Sequence, residues 1–180
     1  MKTERLELRP FTLGDAPTIH PVYSDPEVME HVGNGPVEDL GATEAMLREY
    51  IAHQDANGFS FWAVIERDSG AVIGDAGLFL LDGRGPEVEL GYTLARESWG
   101  RGYATEAARA LLAAGFDDFG LDEVVAVADP ANTASTRVLE KIGMRRVGMR
   151  QAYGRPHALY RAKRSGWRAN SAAHASEQKK

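Results

Sequence analysis

The sequence of 180 residues contains no cysteine. This absence excludes disulfides, thiolate-bound zinc sites and any mechanism that passes through an acyl-cysteine intermediate. The sequence also has no apolar run close to the ~18 residues that a membrane-spanning helix needs, and its first residues lack the pattern of a signal peptide. We therefore expect a cytoplasmic protein that has no membrane partner.

Metal-binding and nucleic-acid-binding patterns are also missing. The five histidines include no His-Glu-x-x-His run and no close pair, so we expect no metal site. The formal net charge of −5 argues against a nucleic-acid partner, because the phosphate backbone selects basic surfaces. A basic cluster late in the chain is therefore interpreted as a solvated face or as a contact to a nucleotide phosphate. It comprises Arg145, Arg146, Arg150 and Arg155.

Hydrophobic content of 43% and charged content of 26% are typical of a soluble globular protein, and the length fits one domain. Periodicity predicts an α/β (α+β) fold in which a strand, helices and a hairpin precede strands alternating with helices. The predicted strands cover residues 3–9, 59–66, 71–81, 87–94, 123–128, 144–149 and 159–163. The domain is expected to span residues 1–167, and the polar segment 168–180 is expected to be a disordered tail.

A glycine-containing turn between a buried strand and an amphipathic helix is the most informative stretch of the chain. It reads Trp-Gly-Arg-Gly-Tyr-Ala-Thr-Glu-Ala over residues 99–107, and we call residues 99–102 the glycine loop. The first N–H groups of a helix have no intrahelical acceptor, and the helix dipole adds positive charge there. Glycine has no Cβ, so an anion can come close to the backbone. The stretch therefore predicts a phosphate-bearing ligand at the start of this helix.

Two other phosphate-binding patterns fit this stretch less well. The Gly-Lys-Ser/Thr run of the kinase-type loop is absent. Gly100 and Gly102 match the first two glycines of the dinucleotide fingerprint, and Glu123 matches its acidic residue. Thr105, however, occupies the position of the third glycine. The long turn with Trp99, late in the chain, argues against this fingerprint. A nucleotide-binding oxidoreductase nevertheless stays an alternative.

A second pattern follows the predicted strand 123–128. Asn132 and Ser135 open a helix, and helix capping alone is a sufficient reason for an Asn at that place. The run Val-Leu-Glu-Lys-Ile-Gly-Met, residues 138–144, continues the helix and ends it at a glycine.

Together, the two motifs resemble the GNAT superfamily of acetyl-CoA-dependent N-acetyltransferases, over roughly residues 3–167. The family's pyrophosphate loop has the form Gln/Arg-x-x-Gly-x-Gly/Ala, which Gly102 and Ala104 match, while Trp99 replaces the usual Gln or Arg. This form of the loop, followed by Asn-x-x-Ser, is similar to the branch of ribosomal-protein N-terminal acetyltransferases. The resemblance implies a mixed, mostly antiparallel sheet that splays between its fourth and fifth strands, where the pantetheine arm of the cofactor enters.

The resemblance also implies the roles of site residues in a direct transfer within a ternary complex. Glu89 is expected to be the general base and Ser135 the general acid, with Glu87 on the same strand face and a water relay as alternative bases. Asn132 is expected to contact the pantetheine arm. The positions expected to bind acetyl-CoA are Leu94, Arg101, Gly102, Tyr103, Ala104, Thr105, Glu106, Asn132 and Ser135.

The acceptor is expected to be a primary amine, either a protein N-terminus or a small molecule, and the protein a possible homodimer. Loops 32–39 and 149–157 would face the acceptor, but their sequences do not distinguish these classes. His157 is interpreted as a structural residue, with a place in the acceptor cleft as the alternative. A non-catalytic acyl-CoA sensor of the same fold is a further alternative, because one fold can host binding without turnover.

Overall fold

The computed structural model describes residues 1–83 and 85–167. Its strands are β1 (Leu6–Pro10), β2 (Phe61–Glu66), β3 (Val72–Leu80), β4 (Val88–Leu94), β5 (Glu123–Ala128), β6 (Arg145–Ala152) and β7 (Arg155–Lys163). Its α-helices are α1 (Ala16–Tyr23), α2 (Pro26–Met29), α3 (Leu40–Asn57), α4 (Tyr103–Asp117) and α5 (Thr133–Lys141). Within these described ranges, no helix combines the length and the apolar character needed to cross a membrane. The predicted tail, residues 168–180, lies outside them.

The strands form one mixed sheet with the order β1-β2-β3-β4-β5-β7-β6. Neighbouring strands are antiparallel except β4 and β5, which run parallel. β4 pairs with β3 along its whole length, whereas its pairing with β5 is recorded at one position in the described chain, Glu89 opposite Val125. β4 therefore diverges from β5 beyond Glu89. This geometry confirms the predicted α/β fold with a sheet splayed between its fourth and fifth strands.

The pleat of β4 divides its side chains between the two faces of the sheet. Val88, Leu90 and Leu94 belong to the larger hydrophobic core, together with the apolar face of α4. Glu89 and Thr93 lie on the other face, where α1 and α3 build a second core. Polar groups on β4 therefore reach the gap from the face that α1 and α3 cover.

The last two strands are longer than the predicted segments 144–149 and 159–163. β6 and β7 run up to a two-residue turn formed by Tyr153 and Gly154. Both turn residues have positive φ, 51° and 73°, as tight hairpin turns require. A tyrosine is an unusual residue at such a position, so the turn signal was not visible in the sequence. The turn matters for function because it carries Tyr153 to the region of β4.

Candidate active site

The gap between β4 and β5 widens into a cleft of about 610 Å³. Its walls come from α3, the central strands, the start of α5, the turn between β6 and β7, and a loop of residues 31–38. Three of the predicted site residues, Glu89, Asn132 and Ser135, line this cleft. The other predicted residues lie at the end of β4, in the glycine loop or in the first turn of α4.

Glu89 is a buried carboxylate of the cleft, with 6% of its surface exposed. Its Oε2 accepts a hydrogen bond of 2.8 Å from the hydroxyl of Tyr153. Glu87, the alternative base, lies one residue before β4 and forms ion pairs with Arg150 and Arg161. The structure thus brings Glu89 to the cleft and engages Glu87 in ion pairs.

Tyr92 of β4 and Ser135 of α5 form a pair of hydroxyl groups that line the cleft. The Tyr92 hydroxyl donates to the Ser135 carbonyl at 3.1 Å and lies 3.0 Å from Ser135 Oγ, where either hydroxyl can donate to the other. Burial raises the pKa of Tyr92 to about 12, and the bond to Ser135 opposes that rise. Tyr92 is therefore a neutral hydroxyl at physiological pH. Asn132 Oδ1 accepts from the Ser135 backbone N–H at 3.0 Å, as its interpretation as a helix cap predicts.

The glycine loop has the backbone geometry of an anion site. Gly100 and Gly102 have φ of 71° and 81°, a left-handed conformation that glycine adopts without strain. Gly102 directly precedes α4, a helix of 15 residues, whose first N–H groups have no intrahelical acceptor. The Trp99 indole N–H donates to the Leu94 carbonyl at 2.8 Å and ties the loop to the end of β4. The tryptophan that departs from the usual family pattern thus closes the loop.

Comparison with known proteins identifies this architecture. The profile of the "Acetyltransferase (GNAT) domain" matches residues 5–145. The chain belongs to the GNAT acetyltransferase family. It is 32% identical over 154 residues to the uncharacterised N-acetyltransferase p20 of Bacillus licheniformis, which covers 84% of this chain and 85% of that protein. GNAT membership confirms the family named from the two motifs and indicates acetyl transfer as the general activity.

Solved structures show the same GNAT fold. A GNAT-family acetyltransferase from Bacillus anthracis is 27% identical, with a TM-score of 0.79, over 92% of this chain and 98% of that one. The aminoglycoside acetyltransferase AAC(6')-Ib, solved in complex with coenzyme A, has a TM-score of 0.77 at 19% identity, over 91% of this chain and 98% of that one. At this low identity the second likeness concerns the fold.

The side chains on either side of Gly102, Arg101 and Tyr103, both contact Glu66 on β2. The Arg101 guanidinium lies 2.8 Å from the Glu66 carboxylate and stacks over the Tyr103 ring, 4.7 Å from its centre. The buried Tyr103 donates its hydroxyl to the same carboxylate. These contacts anchor the start of α4 to the sheet. Both side chains thus contact Glu66, and the expected contact of positions 101 and 103 with acetyl-CoA stays a prediction.

Glu106, in the first turn of α4, was expected to bind acetyl-CoA, but its polar groups bond within the protein. Its carboxylate accepts from the Thr3 hydroxyl at 2.6 Å and from the Arg5 backbone N–H at 2.8 Å. Its own N–H donates within the helix to the Gly102 carbonyl at 3.0 Å. Both polar groups are thus used to hold the N-terminal segment and the first helical turn. We therefore leave Glu106 out of the proposed phosphate site, in contrast to the sequence-based expectation.

Asp75 on β3 is a cleft residue that the sequence analysis missed. It is 2% exposed, and its Oδ2 accepts a hydrogen bond of 2.7 Å from the Tyr23 hydroxyl of α1. Burial raises the pKa of this carboxyl to about 7, and the Tyr23 hydrogen bond opposes that rise. In the sequence, Asp75 is one polar residue inside a predicted hairpin strand. Its burial depends on α1, which is far away in the chain, so no local signal pointed to it.

The rim of the cleft is held by charged residues. Asp129 Oδ2 lies 3.0 Å from His31 Nδ1 and 3.4 Å from an Arg155 nitrogen. Asp129 also accepts from the Ala131 backbone N–H at 2.8 Å, a bond that lowers the pKa of this carboxyl most, as expected for a cap residue. The buried His157 lines the cleft and donates from Nδ1 to the Arg155 carbonyl at 3.0 Å. His157 is thus a buried residue held by the backbone, as interpreted from the sequence, and it also lines the cleft, as the alternative proposed.

Proposed function

We propose that this GNAT chain is an N-acetyltransferase that moves the acetyl group of acetyl-CoA to a primary amine by direct attack in a ternary complex. One observation carries the proposal. The cleft is lined by a buried carboxylate, Glu89, and by a hydroxyl pair, Tyr92 and Ser135. A group that accepts a proton and a group that donates one therefore line the same cleft at the gap between β4 and β5.

The residues of the glycine loop fit the pyrophosphate of coenzyme A. The space around a side-chain position at Gly100 is open, so a phosphate can approach the backbone there. The N–H groups of Tyr103, Ala104 and Thr105 lie in the first turn of α4, where the helix dipole favours an anion. The gap beyond Glu89 offers room for the pantetheine arm, beside Asn132 and Ser135. The coenzyme A complex of the related fold of AAC(6')-Ib supports this placement.

When bound, acetyl-CoA supplies a thioester whose acetyl carbon an amine can attack. Glu89 takes the proton that the substrate ammonium must lose before its nitrogen can attack, and the bond from Tyr153 holds the Glu89 carboxylate in the cleft. The edge of β4 beyond Glu89 diverges from β5, so its backbone N–H groups can donate to the thioester carbonyl oxygen as that oxygen gains negative charge.

Ser135 delivers a proton to the sulfur that leaves. Rotation of its hydroxyl turns the hydrogen from Tyr92 toward the cleft, and the Tyr92 hydroxyl can then donate to Ser135 Oγ. The nitrogen thus gives one proton to Glu89 before attack and loses a second one after attack, as the amide forms. This second proton replaces the one that Ser135 gives to the sulfur, so the products are an N-acetyl amine and a free thiol. Tyr92 acts as a positioning residue because its high pKa keeps its proton in place.

The test is a thermal melt with acetyl-CoA and, in parallel, with NADH and NADPH. Acetyl-CoA at about 100 times its dissociation constant should stabilise the protein by about 2.7 kcal/mol. For a domain of this size, that is a rise in melting temperature of roughly 5 to 10 °C. Thiol release in the presence of primary amines then measures turnover. Stabilisation without thiol release would support an acyl-CoA sensor, and stabilisation by a nicotinamide cofactor alone would support the oxidoreductase.

A further inference from the structure

Asp75 is a buried carboxylate for which the described chain provides no cation. Within residues 1–83 and 85–167, no arginine, lysine or histidine forms an ion pair with it, and its hydrogen bond comes from the neutral hydroxyl of Tyr23. Buried carboxylates in proteins are normally paired with a cation or bound to a metal, because an isolated buried charge is costly. The side chain nevertheless lines the cleft. An ammonium group of a ligand can therefore supply the cation that the described chain does not provide.

The sheet register places this carboxylate at a defined position relative to Glu89. Asp75 is paired with Thr93, four residues along β4 from Glu89, and on the same face of the sheet. Strand geometry separates the two Cα atoms by roughly 14 Å, from about 3.4 Å per residue and about 4.8 Å between strands. Both carboxylates line the same cleft, and Gly91 lies between Glu89 and Thr93 on β4. The cleft thus has a second carboxylate, roughly 14 Å from Glu89, on the same face of the sheet.

The surface between the two carboxylates is aromatic. The ring of Phe61 lies directly over Gly91, so close that a Cβ at that position would lie 2.8 Å from its Cε1 atom. The Tyr50 ring packs against Phe61, with 5.1 Å between ring centres. Aromatic rings bind alkyl chains through apolar contact and bind cations through their faces. This floor suits an apolar spacer with a positive group at each end.

We propose that Asp75 forms a subsite for a second cationic group of the acceptor, so that the preferred acceptor is a diamine with an apolar spacer. One amino group lies near Glu89 and is acetylated, the spacer packs on Phe61, and the other ammonium lies at Asp75. The inference rests on the proposed function, because it names the class of amine that the same cleft takes. Asp75 is a specificity residue in this scheme and takes no part in the chemical step.

The first experiment compares linear diamines of increasing chain length with n-alkyl monoamines of matching length. In the wild type, the best diamine should have a kcat/KM about tenfold above its matched monoamine, mainly through a lower KM. Asp75→Asn should remove this preference, with kcat for the monoamines within about twofold of wild type. Asp129→Asn is the matched control, because Asp129 is also a cleft carboxylate but has Arg155 as a cation and His31 as a hydrogen-bond partner. It should keep the diamine preference.

Two results would overturn the inference. Equal kcat/KM for diamines and monoamines in the wild type would show that no second subsite exists. A similar loss of kcat for both series in Asp75→Asn would make Asp75 part of the chemical step, for example the base. Tyr23→Phe separates the carboxylate from its hydrogen bond, since it removes the Tyr23 donor and leaves Asp75 in place. It should retain the preference at high pH and shift its onset upward in pH, because the Tyr23 hydrogen bond opposes the rise in the Asp75 pKa that burial causes.

A binding assay keeps this inference distinct from the proposed function. Diamines should raise the melting temperature of the wild type more than monoamines do, and Asp75→Asn should abolish the difference. If no amine is acetylated but the Asp75-dependent stabilisation is present, the proposed function fails and the diamine subsite stands. If amines are acetylated without any such stabilisation or preference, the diamine subsite fails and the proposed function stands.

Discussion

Replacing Asp75 with asparagine should stabilise the free protein, and the gain should grow with pH. Burial raises the folded-state pKa of Asp75 from its ordinary value of 3.8 to about 7. Below the lower value, both states of the protein carry a protonated carboxyl. Between the two values, the unfolded chain releases this proton and the folded protein retains it. Stability therefore falls as pH rises through this window, and an asparagine, which does not titrate, escapes the fall.

The magnitude follows from the width of the window. Each unit of pKa difference corresponds to 1.36 kcal/mol, so about three units give up to about 4 kcal/mol on the plateau above pH 7. In melting temperature, this is roughly 10 °C for a domain of this size. Asp75→Asn also weakens the hydrogen bond from Tyr23, which changes the unfolding free energy by an amount that does not depend on pH. The pH dependence, rather than the absolute stability, therefore isolates the buried carboxyl.

Urea unfolding of wild type and Asp75→Asn at about pH 5 and about pH 8 measures the effect. The difference in unfolding free energy should be larger at the higher pH. Asp15→Asn is a matched control of opposite sign, because a hydrogen bond from Arg9 lowers the pKa of Asp15 to about 2. The stability that Asp15 contributes is complete above 3.8, so its variant should lose the same amount at both pH values. If the difference in unfolding free energy between Asp75→Asn and wild type is the same at both pH values, the reasoning is refuted.

Three further predictions concern the chemistry and the cofactor. Glu89→Gln should lower kcat by about a hundredfold or more, because a general base contributes on that scale, and an unchanged kcat would remove Glu89 from the mechanism. Gly102→Val should raise the acetyl-CoA dissociation constant by about tenfold, since its φ of 81° and its place in the loop exclude a branched side chain. Gly120→Val, at a φ of 71° beyond the opposite end of α4, is the control and should leave affinity unchanged, as measured by calorimetry. Ser135→Ala should reduce turnover while acetyl-CoA affinity stays within about twofold, and normal turnover would exclude it as the acid.

Local patterns predicted the fold well because each of them depends on neighbours in sequence. The predicted strand 123–128 coincides with β5, since its apolar run ends before Pro130. The helix opened by Asn132 begins where its cap predicts. The ends of β6 and β7 were missed because their turn uses Tyr153, whose positive φ is a property of the tertiary structure. At Tyr153, tertiary packing thus overrides the usual residue preference of a tight turn, and this turn also brings Tyr153 to Glu89 in the candidate site.

The candidate site was only half predictable, for a similar reason. Glu89 and Ser135 were named from motifs. Their partners lie far away in sequence: Tyr153 is 64 positions from Glu89 and Tyr92 is 43 positions from Ser135. Asp75 meets its hydroxyl donor across 52 positions. Periodicity and spacing carry no information over such separations, so these pairs are visible only when the strands are in register.

A carboxylate that destabilises the free protein can strengthen binding for the same physical reason. Folding has already removed Asp75 from water, so a bound ammonium gains its attraction without a further desolvation of the protein side. In water, the same pair would be screened and weak. The free energy of unfolding that Asp75→Asn would restore above pH 7 is thus a measure of the cost of burying this charge in the free protein, which a bound ammonium would offset. On this reasoning, diamines should stabilise the wild type more at about pH 8 than at about pH 5, because only the ionised carboxylate attracts the second ammonium.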